Sequence, residues 1–456
     1  MLYRSIWLAA VILLCAMPRL AVAETVVLDP AAMRELAFAA MQSGFAEDAL
    51  EITDALLLRD QADASALTIR AQALRALGDY PAAIEAARAA WIAADTAPAR
   101  FGAAMAMAAA QSSAGRRTSA ELWLRRAANH APNERAYAIA RRDFGYVQSR
   151  NPWRFVLDLS VAPSSNVNNG SRQETLALPG LPIFFEIPPE SRALSGVQLG
   201  FGFDATYRLS PTAPNRQTML NFGASVQAVT LSSEAKEDAP DTRASDFTLT
   251  TLEAGISHRR VLDADGRTAL SLNGTFGHNW YGGENLSDYL QFGAEVTHAM
   301  KPGIDLNFGF AVDRVTRIDR PLQSSDRVEV SAGVRFAVGA DSMAVRLGWT
   351  DVAARSVEVQ NEAVSLALSW QKSEPVAGLG LAAALTLEQR VFEDSNYVAG
   401  GREDTKVTGK VQITFSQIEY FGFSPVLEVN ATRNRSNSAL HDSQAVGVNL
   451  GIKSSF

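Results

Sequence analysis

Cysteine is almost absent from this sequence, and so is any surplus of positive charge. The 456 residues include one cysteine, Cys15. A chain this poor in thiols has no disulfide scaffold, no iron–sulfur cluster and no zinc site built on thiolates. Lys and Arg number 42 against 49 Asp and Glu, which gives a net charge of −7. Nucleic-acid binding that relies on a basic surface is therefore excluded, because neutralising phosphates requires clustered Lys and Arg.

Long apolar runs are also missing after the first residues. Residues 1–23 have the parts of a secretory signal peptide: Arg4, an apolar stretch over 6–17, and an A-x-A cleavage pattern at 21–23. The apolar stretch is too short for an anchor that spans about 30 Å of hydrocarbon, and no later stretch approaches the ~20 apolar residues of a transmembrane helix. We therefore expect an exported protein.

The rest of the chain changes character near Asn151. Residues 24–150 are rich in alanine, and their apolar positions recur at helical spacing. From 151 to 456, apolar and polar residues alternate with a period of two, as in β-strands. The sequence thus predicts a signal peptide at 1–23, an all-α domain at 24–150 and an all-β domain at 151–456.

The helical part repeats itself. A glycine followed five residues later by an alanine occurs at matching places in three copies: Gly44 and Ala49, Gly78 and Ala83, Gly115 and Ala120. A period of about 34 residues with small residues where helices cross is typical of tetratricopeptide repeats, which stack to form a concave binding surface. The alternative is an ordinary alanine-rich bundle. Carrying the groove positions of that repeat family onto this register gives six candidate cargo-binding residues: Arg34, Phe38, Thr68, Gln72, Arg75 and Met105.

The β part contains fourteen alternating segments. They lie near 153–163, 197–209, 218–231, 246–260, 268–281, 288–301, 304–316, 327–339, 343–352, 361–372, 379–391, 404–415, 422–433 and 442–456. Nearly every segment has one apolar face, and only 246–260 departs from the pattern, with a slip of phase near Glu253. The opposite face is polar and carries charges such as Glu295, Asp313, Arg335, Arg346 and Glu388.

Segment length and aromatic residues favour a membrane barrel over a soluble β domain. Transmembrane barrels have alternating segments of about ten residues, apolar outside and polar inside. Aromatic rings prefer the level of the lipid headgroups, and several aromatics stand near segment ends: Trp153, Trp280, Tyr281, Tyr289, Trp349, Trp370 and Tyr420. The expected fold is an all-β transmembrane barrel of 14 antiparallel strands, preceded by an all-α tetratricopeptide-repeat domain.

Connection lengths predict the orientation of this barrel. Long or polar connections, such as 162–192 and 282–287, alternate with short turns, such as 301–303. Bacterial outer-membrane barrels have short periplasmic turns and long outer loops, so both ends of the barrel are expected in the periplasm. The last segment ends on Phe456 and is expected to pair with the first, which closes the barrel. A terminal aromatic of this kind is typical of outer-membrane proteins and is read by the barrel-assembly machinery.

Three stretches carry a family resemblance: Ala162 to Asn169, Gly422 to Pro425, and Arg433 to Ser438. Together with the export signal, the repeats and the 14-strand barrel, they resemble the surface lipoprotein assembly modifiers (Slam), the outer-membrane translocators of type XI secretion. The helical domain, with about three repeats, is shorter than in the best-known members. The resemblance implies translocation of a protein cargo, either a surface lipoprotein or a soluble secreted protein, by a barrel in contact with outer-membrane lipids. Polysaccharide-export porins and passive diffusion porins are the alternatives, the latter with the 162–192 loop folded inward.

The seam between the first and last strands is the pair expected to open most easily, because no hairpin turn holds it. Gly447 and Gly451 lack side chains for packing across it. Two asparagine-rich patches flank its outer end, either as a polar latch or as hydrated loop tips. The seam and latch candidates are Asn166, Asn168, Asn169, Asn434, Asn437 and Phe456.

Catalytic and cofactor sites are not expected. His258, His278 and His298 recur every 20 residues, but the strand directions send His278 to the opposite rim from the other two. Zinc ligands must converge within about 2.0–2.3 Å of one ion, so these histidines do not predict a metal site. The sequence has no Gly-Lys-Ser/Thr phosphate loop and no Gly-x-Ser-x-Gly elbow. We therefore expect no enzyme activity, no cofactor and no metal.

Overall fold

The structure, a computed structural model, describes residues 28–209, 213 and 215–454. The expected signal peptide at 1–23 and Phe456 lie outside these residues. The chain divides into two compact units, with the division between Arg116 and Arg117. The change from helix to strand falls later, between Arg150 and Trp153. The last two long helices therefore belong to the same unit as the strands.

The first unit consists, within residues 28–116, of five helices. They are α1 (Pro30–Gln42), α2 (Ala46–Arg59), α3 (Ala64–Ala76), α4 (Tyr80–Ala93) and α5 (Ala97–Ser113). Asp29, Asp63, Asp79 and Thr96 precede four of them, and each side chain accepts a hydrogen bond from the first turn. This capping satisfies backbone N–H groups that have no partner inside the helix. Among the described residues, no helix is both long and apolar enough to cross a bilayer.

The repeated glycine marks the same turn in all three copies. Gly44, Gly78 and Gly115 have φ of +86°, +85° and +77°, a conformation that a side chain disfavours. In each copy the next residue donates its N–H to a carbonyl five residues back, which ends the helix in a Schellman turn. The alanines that follow each glycine are fully buried, because they stand where helices cross closely. The repeat read from the sequence is confirmed.

The second unit begins with α6 (Arg117–Asn129) and α7 (Glu134–Arg150) and continues into a closed antiparallel barrel. In chain order its described strands are β1 (Trp153–Ser164), β2 (Thr175–Ala177), β3 (Phe184–Glu186), β4 (Gly196–Arg208), β5 (Arg216–Leu231), β6 (Leu249–Val261), β7 (Thr268–Tyr281), β8 (Glu284–Lys301), β9 (Ile304–Arg317), β10 (Ser325–Val338), β11 (Asp341–Ala354), β12 (Asn361–Gln371), β13 (Leu379–Phe392), β14 (Arg402–Phe415), β15 (Phe423–Ser436) and β16 (Ser443–Ser454). β2 and β3 form a separate hairpin, and a short helix α8 (Ser233–Asp238) follows β5. The other fourteen strands close the ring, which confirms the predicted count.

Each strand of the barrel has an exposed apolar outer face and a polar inner face. On β1, for example, Phe155, Leu157 and Leu159 are exposed outward, and Asp158 and Ser160 alternate with them. A wide apolar surface of this kind is stable in contact with lipid hydrocarbon, whereas its exposure to water is unfavourable.

The structure corrects three details of the sequence pattern. The 282–287 connection is only a turn at Gly282 and Gly283, because β8 already begins at Glu284. β6 pairs without a bulge, and Glu253 is in phase with its inward neighbours, so there is no slip. Tyr289 points inward, where its ring occupies the space that a side chain at Gly277 would take, so it belongs to no aromatic girdle.

The two ends of the barrel differ. One end, here called the long-loop end, carries the connections 165–195, 232–248, 355–360, 393–401 and 437–442. The other, the short-turn end, carries turns such as 302–303, 339–340 and 416–422, and the chain enters β1 there from α7.

Candidate functional site

The six groove candidates all lie on α1, α3 and α5, the first helices of three successive helix pairs. Phe38, on α1, is 50% exposed. Thr68 of α3 faces Gly102 of α5 across the helix crossing, and its hydroxyl donates to the Ala64 carbonyl. Arg34, Gln72, Arg75 and Met105 are partly buried. The structure therefore places the six candidates on neighbouring helices.

Arg34 is engaged within the unit. Its Nε donates to the Asp63 carboxylate at 2.8 Å, and Asp63 also accepts from the N–H groups of Ser65 and Ala66 at the start of α3. Burial alone would raise the pKa of Asp63, but these bonds outweigh it and hold the pKa below 3.8. Arg75 differs, because its buried Nε has no hydrogen-bond partner among the described residues.

Ion pairs cover much of the inner face of the barrel. Arg346 lies 3.6 Å from Glu295, Arg327 lies 3.5 Å from Asp313, and Lys410 lies 2.8 Å from Glu428. The second and third pairs join neighbouring strands, whereas the first reaches from β11 across β10 and β9 to β8. The polar inner face predicted from the alternation is confirmed, and this part of the wall is close to electrically balanced.

The opposite part of the wall is acidic and lined by glycine. Asp158 on β1 stands beside Gly202, and Glu253 on β6 stands beside Gly223. Asp204 on β4 lies between them in the register. Within the described residues none of these three carboxylates forms an ion pair, although Tyr289 donates a hydrogen bond to Glu253 at 2.5 Å. The lumen wall next to β1 is thus acidic around Asp158, and Arg154 lies on the same inward face nearer the short-turn end.

Loops fold against the inner wall at the long-loop end. Val229 and Leu231 are in phase with the inward-facing side of β5, and both are buried. Val167 and Leu194 from the 165–195 loop pack on them together with Ala235 of α8. This apolar cluster narrows the lumen at that end.

The first asparagine patch builds the base of the 165–195 loop. Asn166 is 3% exposed, and its amide donates to the carbonyls of Gly170 at 2.9 Å and Gln444 at 3.1 Å. Asn168 donates to the carbonyls of Glu190 and Arg192 and accepts from the Leu194 N–H. Asn169 has φ of 55°, which asparagine tolerates better than most residues. Asn166 and Asn168 therefore hold the loop in place through hydrogen bonds and are not hydrated loop tips.

The second patch belongs to a different set of bonds. Asn434 donates to the His441 carbonyl at 2.7 Å, and Asn437 bonds to the backbone of Gly401 and Glu403. The two patches thus sit on adjacent loops without bonding to each other in the described bonds. The loops are instead joined by Ser171, which donates to the Ala439 carbonyl at 2.6 Å, and by the Arg172 N–H.

A buried charged network ties the neighbouring loops together. Arg402, whose side chain is 4% exposed, lies 2.8 Å from Glu358 and 3.4 Å from Asp404. Its guanidinium stacks on the Phe392 ring and donates to His441 at 2.9 Å. Burial, and then the adjacent Arg402 charge, lower the pKa of His441. A neutral His441 can accept this bond, so the network is suited to neutral pH.

Sequence patterns do not reveal how α6 and α7 attach to the barrel. Arg125 of α6 lies over the rings of Phe144 (4.8 Å) and Phe423 (4.7 Å) and donates to the carbonyls of Phe421 and Gly422 at 3.2 and 2.9 Å. Tyr137 of α7 donates to Glu419 in the same turn. These partners are distant in the sequence, so no local signal announces them.

The three histidines bond to different neighbours. His258 is 2.8 Å from the Thr218 hydroxyl, His298 is 3.0 Å from that of Thr268, and His278 is 2.6 Å from Asp288. Within residues 28–209, 213 and 215–454, no group of three His, Cys, Asp or Glu side chains is placed to hold a metal ion.

A comparison with protein-family models found no match, and neither did a comparison with curated proteins. Among solved structures, the chain is similar to the type III secretion translocator chaperone SycD from Yersinia enterocolitica, with 21% identity over 26% of this chain and 82% of that chain (TM-score 0.24). It is similar to CdiB from Acinetobacter baumannii, with 11% identity over 68% of each chain (TM-score 0.35). It is also similar to a bacterial polysaccharide outer membrane secretin, with 10% identity over 66% of this chain and 98% of that chain (TM-score 0.34). At these TM-scores the likeness carries no argument about function.

Proposed function

We propose that this protein is an outer-membrane translocator that exports a protein cargo, a surface lipoprotein or a soluble secreted protein, as the resemblance to the Slam family implies. The observation that carries the proposal is the union, in one chain, of stacked helix pairs with a polar-lined, closed 14-strand barrel. In this proposal the helical part up to residue 150 lies in the periplasm. The barrel contacts outer-membrane lipids, and the barrel-assembly machinery inserts it.

The helical unit supplies cargo capture in this mechanism. Stacked helix pairs bind extended peptides along the face made by their first helices. On that face Phe38 offers an exposed apolar ring, and Arg75 offers a buried Nε that has no acceptor in the part of the chain that the structure describes. A peptide carbonyl would satisfy the Arg75 donor, since an unpaired buried N–H is costly. Binding requires no cofactor and no catalytic residue.

The test compares groove and control variants of the full chain in cells. We expect Phe38→Ala combined with Gln72→Ala to reduce cargo at the cell surface by at least tenfold. The matched control combines Leu58→Ala with Ile92→Ala, apolar residues that are 89% and 76% exposed on α2 and α4, the second helices of their pairs. The cargo is identified by protease shaving of cells with and without this chain, followed by mass spectrometry. The proposal is wrong if cells that lack this chain show no protein that is lost from the surface and retained in the periplasm.

A passive diffusion porin is the second candidate, because the 165–195 loop packs on the inner wall as a constriction loop would. Conductance distinguishes the two. The purified chain in a planar bilayer with KCl should show steady, large conductance if it is an open porin. A translocator whose long-loop end is narrowed by packed loops should conduct little until those loops are displaced. Polysaccharide export is tested in the same strains by staining for surface polysaccharide.

A further inference from the structure

The ladder that closes the barrel is far shorter than the ladders beside it. Among the described residues, β1 and β16 share three pairs of Cα partners: Ser160↔Gly451, Val161↔Leu450 and Ser164↔Gly447. On its other side β1 pairs with β4 along all of its 12 residues, and β16 pairs with β15 along all of its 12. Pairing stops at Ser160, although β16 continues to Ser454 toward the short-turn end. Within residues 153–164 and 443–454, the seam is therefore joined near the long-loop end and unpaired below Ser160.

The ladder between β1 and β16 is interrupted between Val161 and Ser164, and proline and glycine account for this gap. Ser165, two residues after Pro163, donates its N–H to the Val446 carbonyl of β16. In an antiparallel strand every second residue directs both its N–H and its C=O to the same neighbour, so Pro163 also faces β16. Proline has no N–H to donate, and the ladder loses one bond at that position. The glycines at 447 and 451 add no cross-strand packing.

The same alternation sets the direction of the backbone groups lower on β1. Phe155, Leu157 and Leu159 turn their N–H and C=O groups toward the seam, and the Leu159 carbonyl lies against Gly451. Within the described residues, Phe155 and Leu157 have no ladder partner on that side, whereas the Leu159 carbonyl still contacts β16. Their side chains are exposed on the apolar outer face. Unpaired backbone groups are costly at membrane depth, so this edge of β1 is ready to accept a strand.

Bonds from the 165–195 loop hold the other end of the seam. Ser165 bonds to Val446 through both its N–H and its hydroxyl, and Asn166 donates to the Gln444 carbonyl. Ser171 reaches the Ala439 carbonyl of the last loop. Opening is therefore easiest from the short-turn end.

We propose that the β1–β16 seam opens from its short-turn end up through the Ser160↔Gly451 pair, and that an extended segment of the exported protein pairs with the freed edge of β1. This inference rests on the proposed function and adds the route to it. The segment presents apolar side chains outward, beside Phe155 and Leu157. Its inward side chains are polar, because they lie beside Arg154 and Asp158 on the inner face of β1. Backbone pairing makes the site tolerant of sequence, as an exporter of an unfolded chain requires.

A seam disulfide tests the route in cells. The variant Ser160→Cys with Gly451→Cys joins direct partners across the seam, and the control Ser160→Cys with Gly200→Cys joins Ser160 to its partner on β4. Directly paired strand residues lie within the Cα separation that a disulfide accepts. The probe is the surface protein identified by shaving. Oxidation of the seam pair should lower its surface amount at least tenfold, with recovery on reduction and no change in the control.

Export at the unoxidised level through a barrel with a fully formed seam disulfide overturns the inference and leaves the proposed function standing. Hydrogen exchange on the purified full chain in detergent tests the opening without any cargo. Peptides from 153–159 and 448–453 should exchange at least tenfold faster than peptides from 199–207, on the strand that shares the intact ladder with β1. Equal exchange rates overturn the inference even if the disulfide fails to form.

Discussion

Arg125 holds the α6–α7 pair on the barrel, and its removal should release that pair. The guanidinium makes two hydrogen bonds to the carbonyls of the 416–422 turn and lies over two aromatic rings. Hydrogen bonds from a charged donor contribute about 1.5 kcal/mol or more, and cation–π contacts about 0.5–1 kcal/mol each. Because such terms are not additive, we expect Arg125→Ala to weaken docking by about 2–4 kcal/mol.

Hydrogen exchange of α6 and α7 in the purified full chain measures this loss. A change of 2–4 kcal/mol corresponds to a rise in exchange rate of roughly 30- to 1,000-fold where exchange follows the population of the open form. The matched control is Arg126→Ala, since Arg126 is exposed and stacks on Trp123 of the same helix. We expect less than a threefold change there. Unaltered protection of α6 and α7 in Arg125→Ala would refute the assignment of the docking energy to this residue.

Three further predictions test the packing. Gly78→Ala should destabilise the α3–α4 turn by about 1–2 kcal/mol because of its positive φ, whereas Gly102→Ala, inside α5, should be neutral or stabilising; exchange of the helical amides compares them. Asp63 has a lowered pKa, so its stabilisation is present above pH 3.8 and is lost as the pH falls through the lower folded value. Asp63→Asn should accordingly lower protection of α3 at pH 7 by about 1 kcal/mol and reduce its acid sensitivity, and an unchanged acid profile would contradict this. Gly277→Ala should lower the temperature at which the barrel unfolds on heat-modifiability gels, because the added methyl overlaps the Tyr289 ring, and Tyr289→Ala should restore it.

The sequence alone determined the architecture, because periodic patterns report on local geometry. Alternation over 153–456 fixed fourteen strands, since a half-buried strand must change face at every residue. The glycine at 44, 78 and 115 fixed the helical repeat, since only a residue without a side chain adopts that turn at little cost. The same alternation predicted that charged side chains such as Glu295 face the inside of the barrel.

Contacts between distant residues were decided only by the tertiary structure. No local pattern relates Arg125 to Phe423, or Asn166 to Gln444, because their meeting depends on how the chain folds back on itself. The asparagine patches were found in the sequence, but their partners were not, since an asparagine amide bonds equally well to any nearby carbonyl. The inward direction of Tyr289 likewise depended on space left by Gly277 on the neighbouring strand. The length of the closing ladder was set by the register of β1 against β16, which no turn between them constrains.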